Sequence, residues 1–521
     1  MTARRFALSL FLLFALPGAL AHPLRWAAQS DILTLDPHSQ NHATTLGILA
    51  HAYEGLVRYD RDFRVEPALA ERWEILSPTR WRFHLRRGVR FHDGSPFAAD
   101  DVVFSWRRIL QPQGTLQAYL AGVADVRAVD EHTIDFLLTA PNPVLLRNLT
   151  AFLIMDRDWA EKNGAGRVQD AKAREDNFAA RNANGTGGYV IRSWEPDREV
   201  RMTAHAGWWD RREGNVSELA YLPIRADAAR VAALLAGDVD LVTDLPPQDV
   251  ARLRADPRLK VLEGPEIRTI MVGLDQGGAE LQYGDAKGSN PFKDERVRRA
   301  LSMAIDREAI RRVTMRGLSQ PAGLVVAPGV HGYDASLDRP VAFDPEGARR
   351  LLAEAGAAGL EFTLDCPNNR YVADEAICQA LAGMWARLGL KVRANAQPFS
   401  AFLPKVLRHD TSAYLLGFGP GTFDALNALQ SLARSKGAGG DGVFNQGRIS
   451  DSTLDALIDA AKPEMNPTRR DALLRDALAL VRDRHYYLPI HHQLRPWAMK
   501  RNVSTLHRAN DIPETRFARI D

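Results

Sequence analysis

The stretch Arg86 to Trp106, RRGVRFHDGSPFAADDVVFSW, constrains this chain more than any other because it dictates a local path almost residue by residue. Val89 and Phe91 alternate with Arg90 and His92, so the spacing predicts a short strand with one apolar face. Asp93-Gly94 is a turn dipeptide, and Pro96 stiffens the exit. Ala98 to Ser105 continues with helical spacing. Asp100 or Asp101 is placed to cap that helix, and Val102, Val103 and Trp106 form its buried stripe. The unit is α/β in character. At 521 residues the chain is too long for one hydrophobic core, and 45% hydrophobic with 25% charged residues excludes global disorder.

The first residues read as a secretory leader over 1–21. Arg4-Arg5 precedes an apolar run from Phe6 to Leu16, and Ala19-Leu20-Ala21 is a cleavage site that leaves His22 at the new N-terminus. The run is well short of the about 20 residues a membrane-spanning helix needs. No cysteine follows the site, and the residues around Arg4-Arg5 fit a twin-arginine signal poorly. The expectation is a soluble protein of the periplasm. Losing Arg4 and Arg5 lowers the formal charge of +3 by two, and so near a balance gives no reason to expect nucleic acid as a partner. The two cysteines, Cys366 and Cys378, fall near a predicted strand end and on a predicted helix. An exported chain can join them, but two separately buried thiols are the favoured reading.

Further along, Leu24 to Ala28 reads as a buried strand, and Trp81–Leu85 and Thr133–Leu137 alternate as strands. Gly185 to Gly188 leads into another strand, as a crossing of the backbone between lobes. Gly237 stops a helix, and Gly264-Pro265 marks an exit toward another lobe. From about Thr269 the helices are longer and better capped: Asp294, Asp306, Asp344-Pro345 and Asn466-Pro467 are all helix starts. Glu361–Asp365, Asp374–Leu388 and Leu390–Arg393 form a β-α-β order. Tyr486 to His491 returns as a strand and a second crossing.

No H-E-x-x-H, G-x-S-x-G, S-x-x-K or phosphate-loop pattern is present, so no catalytic residue, metal ligand or cofactor is assigned. His38, His42 and His51 lie on a loop-to-helix transition that does not fix a metal geometry, and His491-His492 point to opposite faces of a strand. Two stretches have ligand chemistry instead. Pro367 to Tyr371 is polar and aromatic at the C-terminal end of a predicted strand, where clefts of α/β lobes open. There Asn369 and Arg370 are candidates, Arg370 either pairing with a carboxylate or standing solvated. Leu415 to Asp424 carries glycines that admit a ligand to the backbone, apolar walls in Phe418 and Phe423, and Asp424 as a receptor for an ammonium group. Gly421 and Thr422 of this loop, with Asn41 from the polar loop ahead of the first helix, complete the candidate set.

As a string, GVRFHDGSPFAADDVVFSW closely resembles the signature of the family 5 extracytoplasmic solute-binding proteins, the dipeptide- and oligopeptide-binding components of ABC importers. The order from Leu35-Asp36-Pro37 to Tyr53-Glu54-Gly55-Leu56, the run GTGGYVIRSWEP with Gly207 to Asp210, LLAGDVDLVTDLPP, and PFKDERVRRALSMAIDREAI resemble further blocks in the same order. The resemblance implies an α/β, bilobal periplasmic-binding-protein fold with two lobes joined by hinge crossings and an additional inserted domain. Lobe I would comprise 22–56, 189–268 and 489–521, inserted domain II 57–188, and lobe III 269–488. It also implies capture of a peptide or peptide-sized solute between lobes I and III, by a monomer that delivers it to an inner-membrane permease. A metal chelate or haem-like ligand is the alternative on the same fold, and a secreted hydrolase or a chaperone-like role are further ones. Leu415 to Asp424 resembles the family's G-W-x-x-D block, whose aspartate receives a peptide's α-amino group. Gly417 and Phe418 fall on its Gly-Trp, Gly421 falls where that aspartate would be, and Asp424 falls on a second acidic position. The amine anchor is thus missing at its usual place.

Overall fold

The computed structural model describes residues 23–170, 176–437 and 440–521. The leader read over 1–21 lies outside them. In chain order the strands used below are β1 (Pro23–Ala28), β2 (Val57–Tyr59), β3 (Val65–Pro67), β4 (Ala70–Ser77), β5 (Arg80–Leu85), β6 (Val123–Asp130), β7 (Thr133–Leu138), β8 (Tyr189–Glu195), β9 (Glu199–Ala204), β10 (Glu218–Pro223), β11 (Leu241–Val242), β12 (Leu259–Leu274), β13 (Ser319–Pro321), β14 (Glu361–Pro367), β15 (Lys391–Gln397), β16 (Ala413–Phe418) and β17 (Tyr487–Lys500).

A long mixed sheet runs β15-β14-β16-β12-β17-β11-β1-β10-β9-β8, with β13 added alongside β17. Its centre is the antiparallel pair β12 and β17. The first half of β12, Leu259 to Pro265, pairs with Leu494 to Lys500. The second half, Thr269 to Gly273, pairs with Tyr487 to His492, and the register shifts between Pro265 and Thr269. Two layers therefore flank one ribbon. On one side, β1, β8, β9 and β10 cover a core containing Trp26, Tyr53, Tyr189, Tyr221 and Trp497. On the other, Ile270, Val272, Leu364, Leu381 and Trp385 form a core under β12, β14 and β16, where β14 and β15 are parallel around the helix Asp374–Ala386. A separate four-stranded sheet, β4-β5-β7-β6, packs on the helix Ala99–Ile109 around Phe83, Val102, Trp106 and Phe136.

Two local expectations are corrected and one is met. Val89–His92 is not a strand: the turn is too tight, with the Asp93 carboxylate accepting the Ser95 N–H at 3.0 Å, and only Arg90 bridges to Pro96. The helix that follows has Ala98 as its N-cap, and Asp101, one of the two expected capping acids, reaches back to accept the Ala98 N–H at 2.9 Å. Cys366 and Cys378 are joined in a disulfide, because the end of β14 and the second turn of the following helix are brought side by side, Cα to Cα 6.5 Å.

The motif-like blocks meet each other. Arg108, on the helix of the opening stretch, forms a bidentate pair with Asp36 at 2.7 and 2.6 Å, both side chains 0% exposed. His92 contacts the backbone of Gly185 and Gly187. Glu54 is buried and accepts from Thr186 Oγ1 (2.8 Å), Trp208 Nε1 (3.2 Å) and Trp209 Nε1 (2.8 Å). Burial raises its carboxyl above the ordinary value against those donors.

Candidate functional site

The register shift in β12 places Glu266 and Arg268 at the middle of the crossing ribbon. Glu266 is buried, accepts from Arg268 Nε at 3.0 Å and from Gln493 Nε2 of β17 at 2.6 Å. Two residues further on β17, Arg495 is ion-paired to Asp511 at 2.8 Å and to Asp244. Burial pushes the Asp511 carboxyl up to about 7, against the opposing pull of Arg495 and with Asp244 and Glu266 adding to the rise. Trp497 Nε1 donates to the same carboxylate at 2.8 Å.

The loop after β14 comes down onto this cluster. Asp374 accepts the backbone N–H groups of Arg370 (2.9 Å) and Tyr371 (3.0 Å), and the disulfide anchors the loop from beneath. The Arg370 guanidinium is solvent-accessible, lies 5.5 Å over the Tyr371 ring and 5.4 Å over Phe399, and has no acidic partner among the described residues. It is ringed by protein all the same. Enclosure first, then the Arg268 charge, hold it below the usual arginine value. His42, from the other side of the ribbon, is also lowered, by burial first and then by the Arg370 charge. Tyr371 donates to the Gly417 carbonyl at 3.3 Å, and a Cβ at Gly417 would come within 2.6 Å of its ring. Glycine is therefore required there by close approach. Asn369 is engaged elsewhere, accepting the Phe399 N–H at 2.8 Å.

The second stretch behaves differently. Phe418 ends β16 and makes an edge contact with Phe444 at 5.9 Å. Asp424 does not stand free to receive an ammonium group. It is 1% exposed, takes a bidentate pair from Arg470 (2.9 and 2.7 Å) and a contact from His331 Nδ1 (3.0 Å), and caps the next helix by accepting the Leu426 N–H. These donors hold its carboxyl well below the ordinary value although burial opposes them as the largest influence. Phe423 is buried against Tyr59 and Phe63, and Thr422 accepts from the Tyr59 hydroxyl at 3.2 Å. Gly421 is exposed and lies against the Tyr119 hydroxyl, which Asn41 also reaches.

Arg370 and the Gly417–Phe418 strand end are thus brought together, with Asn41 and Gly421 meeting through Tyr119. Asn369 and Asp424 are held in structural roles. Sequence reading missed Glu266, Arg268, Tyr119 and Arg495. The available signal was the charged pair in EGPEIRTIM, which interrupts an otherwise apolar strand.

The family model for bacterial extracellular solute-binding proteins, family 5, matches residues 64–440. Among curated relatives, heme-binding protein A of Haemophilus influenzae is 27% identical, covering 85% of this chain and 82% of its own. Di/tripeptide-binding protein 1 of Pseudomonas aeruginosa is 26% identical, covering 94% and 93%. Among solved structures, HbpA2 from Haemophilus parasuis superposes with a TM-score of 0.82 at 23% identity, over 96% of this chain and all of that one. That likeness shows the bilobal fold.

Proposed function

Because this chain belongs to the bacterial extracellular solute-binding proteins of family 5, we propose that it is the periplasmic solute-capturing subunit of an ABC importer. Peptides, or a peptide-sized solute, are held between lobe I and lobe III and delivered to an inner-membrane permease. The observation that carries this reading is the polar cluster at the ribbon: Arg370, anchored on one lobe, faces His42 and Arg268 where both crossing strands change partners. A ligand carboxylate placed on Arg370 would touch both lobes, which is the condition for closure to respond to ligand. Residues 1–21 are the export leader, 57–188 the inserted domain, and 22–56, 189–268 and 489–521 lobe I, with lobe III spanning 269–488.

The di/tripeptide-binding relative supports the peptide class, with extended backbone recognised in the manner of strand addition. A haem-like or chelate ligand is the second reading, favoured by the heme-binding relative and by the missing acid at Gly421. In either case the protein acts as a monomer, without catalysis and without nucleic acid. Among the described residues no helix is long and apolar enough to cross a membrane.

The test is a thermal-shift screen of the mature protein against a broad di- to pentapeptide library and against haemin. A stabilised unfolding transition with peptides, lost in Arg370→Ala, supports the peptide reading. A shift with haemin alone transfers the assignment to the second reading. No shift with any compound contradicts both.

A further inference from the structure

Three consecutive residues of one loop, Thr422 to Asp424, touch the facing part of the molecule, and Gly421 ahead of them stands close to it. A Cβ on Gly421 would stand 3.2 Å from the Tyr119 hydroxyl. The Tyr59 hydroxyl donates to the Thr422 carbonyl at 3.2 Å. The Phe423 ring stacks on Phe63, 4.6 Å between centroids and 23° between planes, and leans on Tyr59 at 5.0 Å. Arg147 donates to the Phe423 carbonyl at 3.4 Å and lies 3.7 Å from the Asp424 carboxylate. Behind Phe63, the buried Arg508 guanidinium stacks at 4.2 Å and is fixed by Glu514 and the Asp60 carbonyl.

Both phenylalanines of the stack have left-handed backbones, φ 59° at Phe63 and 53° at Phe423. Such a conformation is costly for a bulky residue and persists only where the surroundings over-determine it. One is the tip of the turn between β2 and β3, and the other leaves β16 on the far side of the ribbon. Two strained turns facing each other, each presenting its ring to the other, are accounted for by the contact they make. The loop also offers an ammonium no free carboxylate. Its carboxylate is occupied by Arg470 and His331, and Gly421 has no side chain.

We infer that Gly421 to Asp424 is a closure latch made by the protein alone between lobe III and the facing inserted domain, and that the cleft it closes does not require a free primary ammonium on its solute. The second clause rests on the solute-binding reading given above. The latch clause does not.

Phe63→Gly is the direct test. Glycine adopts φ near 59° without strain, and Phe63 is a half-exposed turn residue, so the fold is retained while the stack is lost. Small-angle scattering is measured on protein stripped of ligand by unfolding and refolding with the disulfide intact. The parent is expected to scatter as the compact form and Phe63→Gly to shift to a larger radius of gyration. Tyr59→Phe, which removes the hydroxyl that bonds the Thr422 carbonyl but keeps the ring, is expected to shift less and in the same direction. An unchanged radius in Phe63→Gly, or a parent already as expanded as the variant, overturns the latch. For the ligand clause, peptides that shift the melting transition are compared with their N-acetylated forms. Affinity retained within about threefold on acetylation supports it, and a loss of about tenfold or more overturns it while leaving the importer reading intact. Absence of binding by both forms removes the ligand clause together with the peptide reading, and the scattering result still decides the latch.

Discussion

Asp424 shows how far a side chain's chemistry depends on its neighbours. Its place in a glycine-rich loop suggests a receptor for an ammonium group, but Arg470 and His331 occupy it, and both lie far away in sequence. Removing one partner of a buried ion pair leaves the other charge uncompensated, at a cost of about 3–5 kcal/mol. Arg470→Met is therefore expected to lower the urea midpoint markedly, with Asp424→Asn restoring part of the loss in the double variant. A ligand-binding defect without a stability defect in Asp424→Ala would return Asp424 to the ligand. His491 supplies a pH test. Its ring nitrogens are buried without hydrogen-bond partners, and burial, then the neighbouring His492 charge, hold it down to about 3 against an ordinary 6.5. The unfolded chain thus takes up a proton that the folded chain refuses. The stability this histidine confers is complete above pH 6.5 and is lost as the pH falls toward 3. His491→Phe should flatten the fall in stability between pH 6.5 and 4, only partly, since His38 and His92, each held to about 4 by burial, titrate the same way. An unchanged slope in unfolding free energy against pH contradicts this.

Elements built from local signals were the most legible. Asp294, Asp306, Asp344 and Asn466 cap their helices as their spacing predicts, and the β-α-β unit around Asp374–Ala386 is parallel as expected. The motif blocks were recognisable as strings, but not why they exist: Glu54 gathers donors from Thr186, Trp208 and Trp209, and Asp36 takes Arg108, contacts no local spacing encodes. The opening stretch, like these, is scaffold. The exit toward another lobe expected at Gly264-Pro265 is made by a continuous strand, β12, the proline accommodated where the register shifts. Arg268 and Tyr119 were invisible because their significance is proximity across the ribbon. The disulfide was misjudged because sequence does not reveal how close two Cα atoms lie. It closes a separation of 12 residues around Arg370 and Tyr371, a loop worth about 3 kcal/mol in chain entropy. Replacing both cysteines by serine should lower the melting temperature and speed amide exchange at residues 368–373 more than in β14. Uniform exchange across the lobe would assign the bridge to global stability alone.

At the scale of the whole molecule, a single ribbon joins two cores, and the charged groups Glu266, Arg268 and Arg495 sit in it beside Arg370 and His42. A hinge lined this way couples bending to whatever satisfies those charges. On the proposed reading, a solute held there would stabilise the closed form by its differential contacts, by mass action. The central claim is that this chain captures a small solute between its lobes. Native mass spectrometry of protein purified gently from the bacterial envelope tests it most directly. A one-to-one complex with peptide-sized molecules is expected, released on denaturation and depleted in Arg370→Ala. A spectrum of the bare chain alone, unchanged when the protein is exposed to the peptide library before measurement, would contradict it.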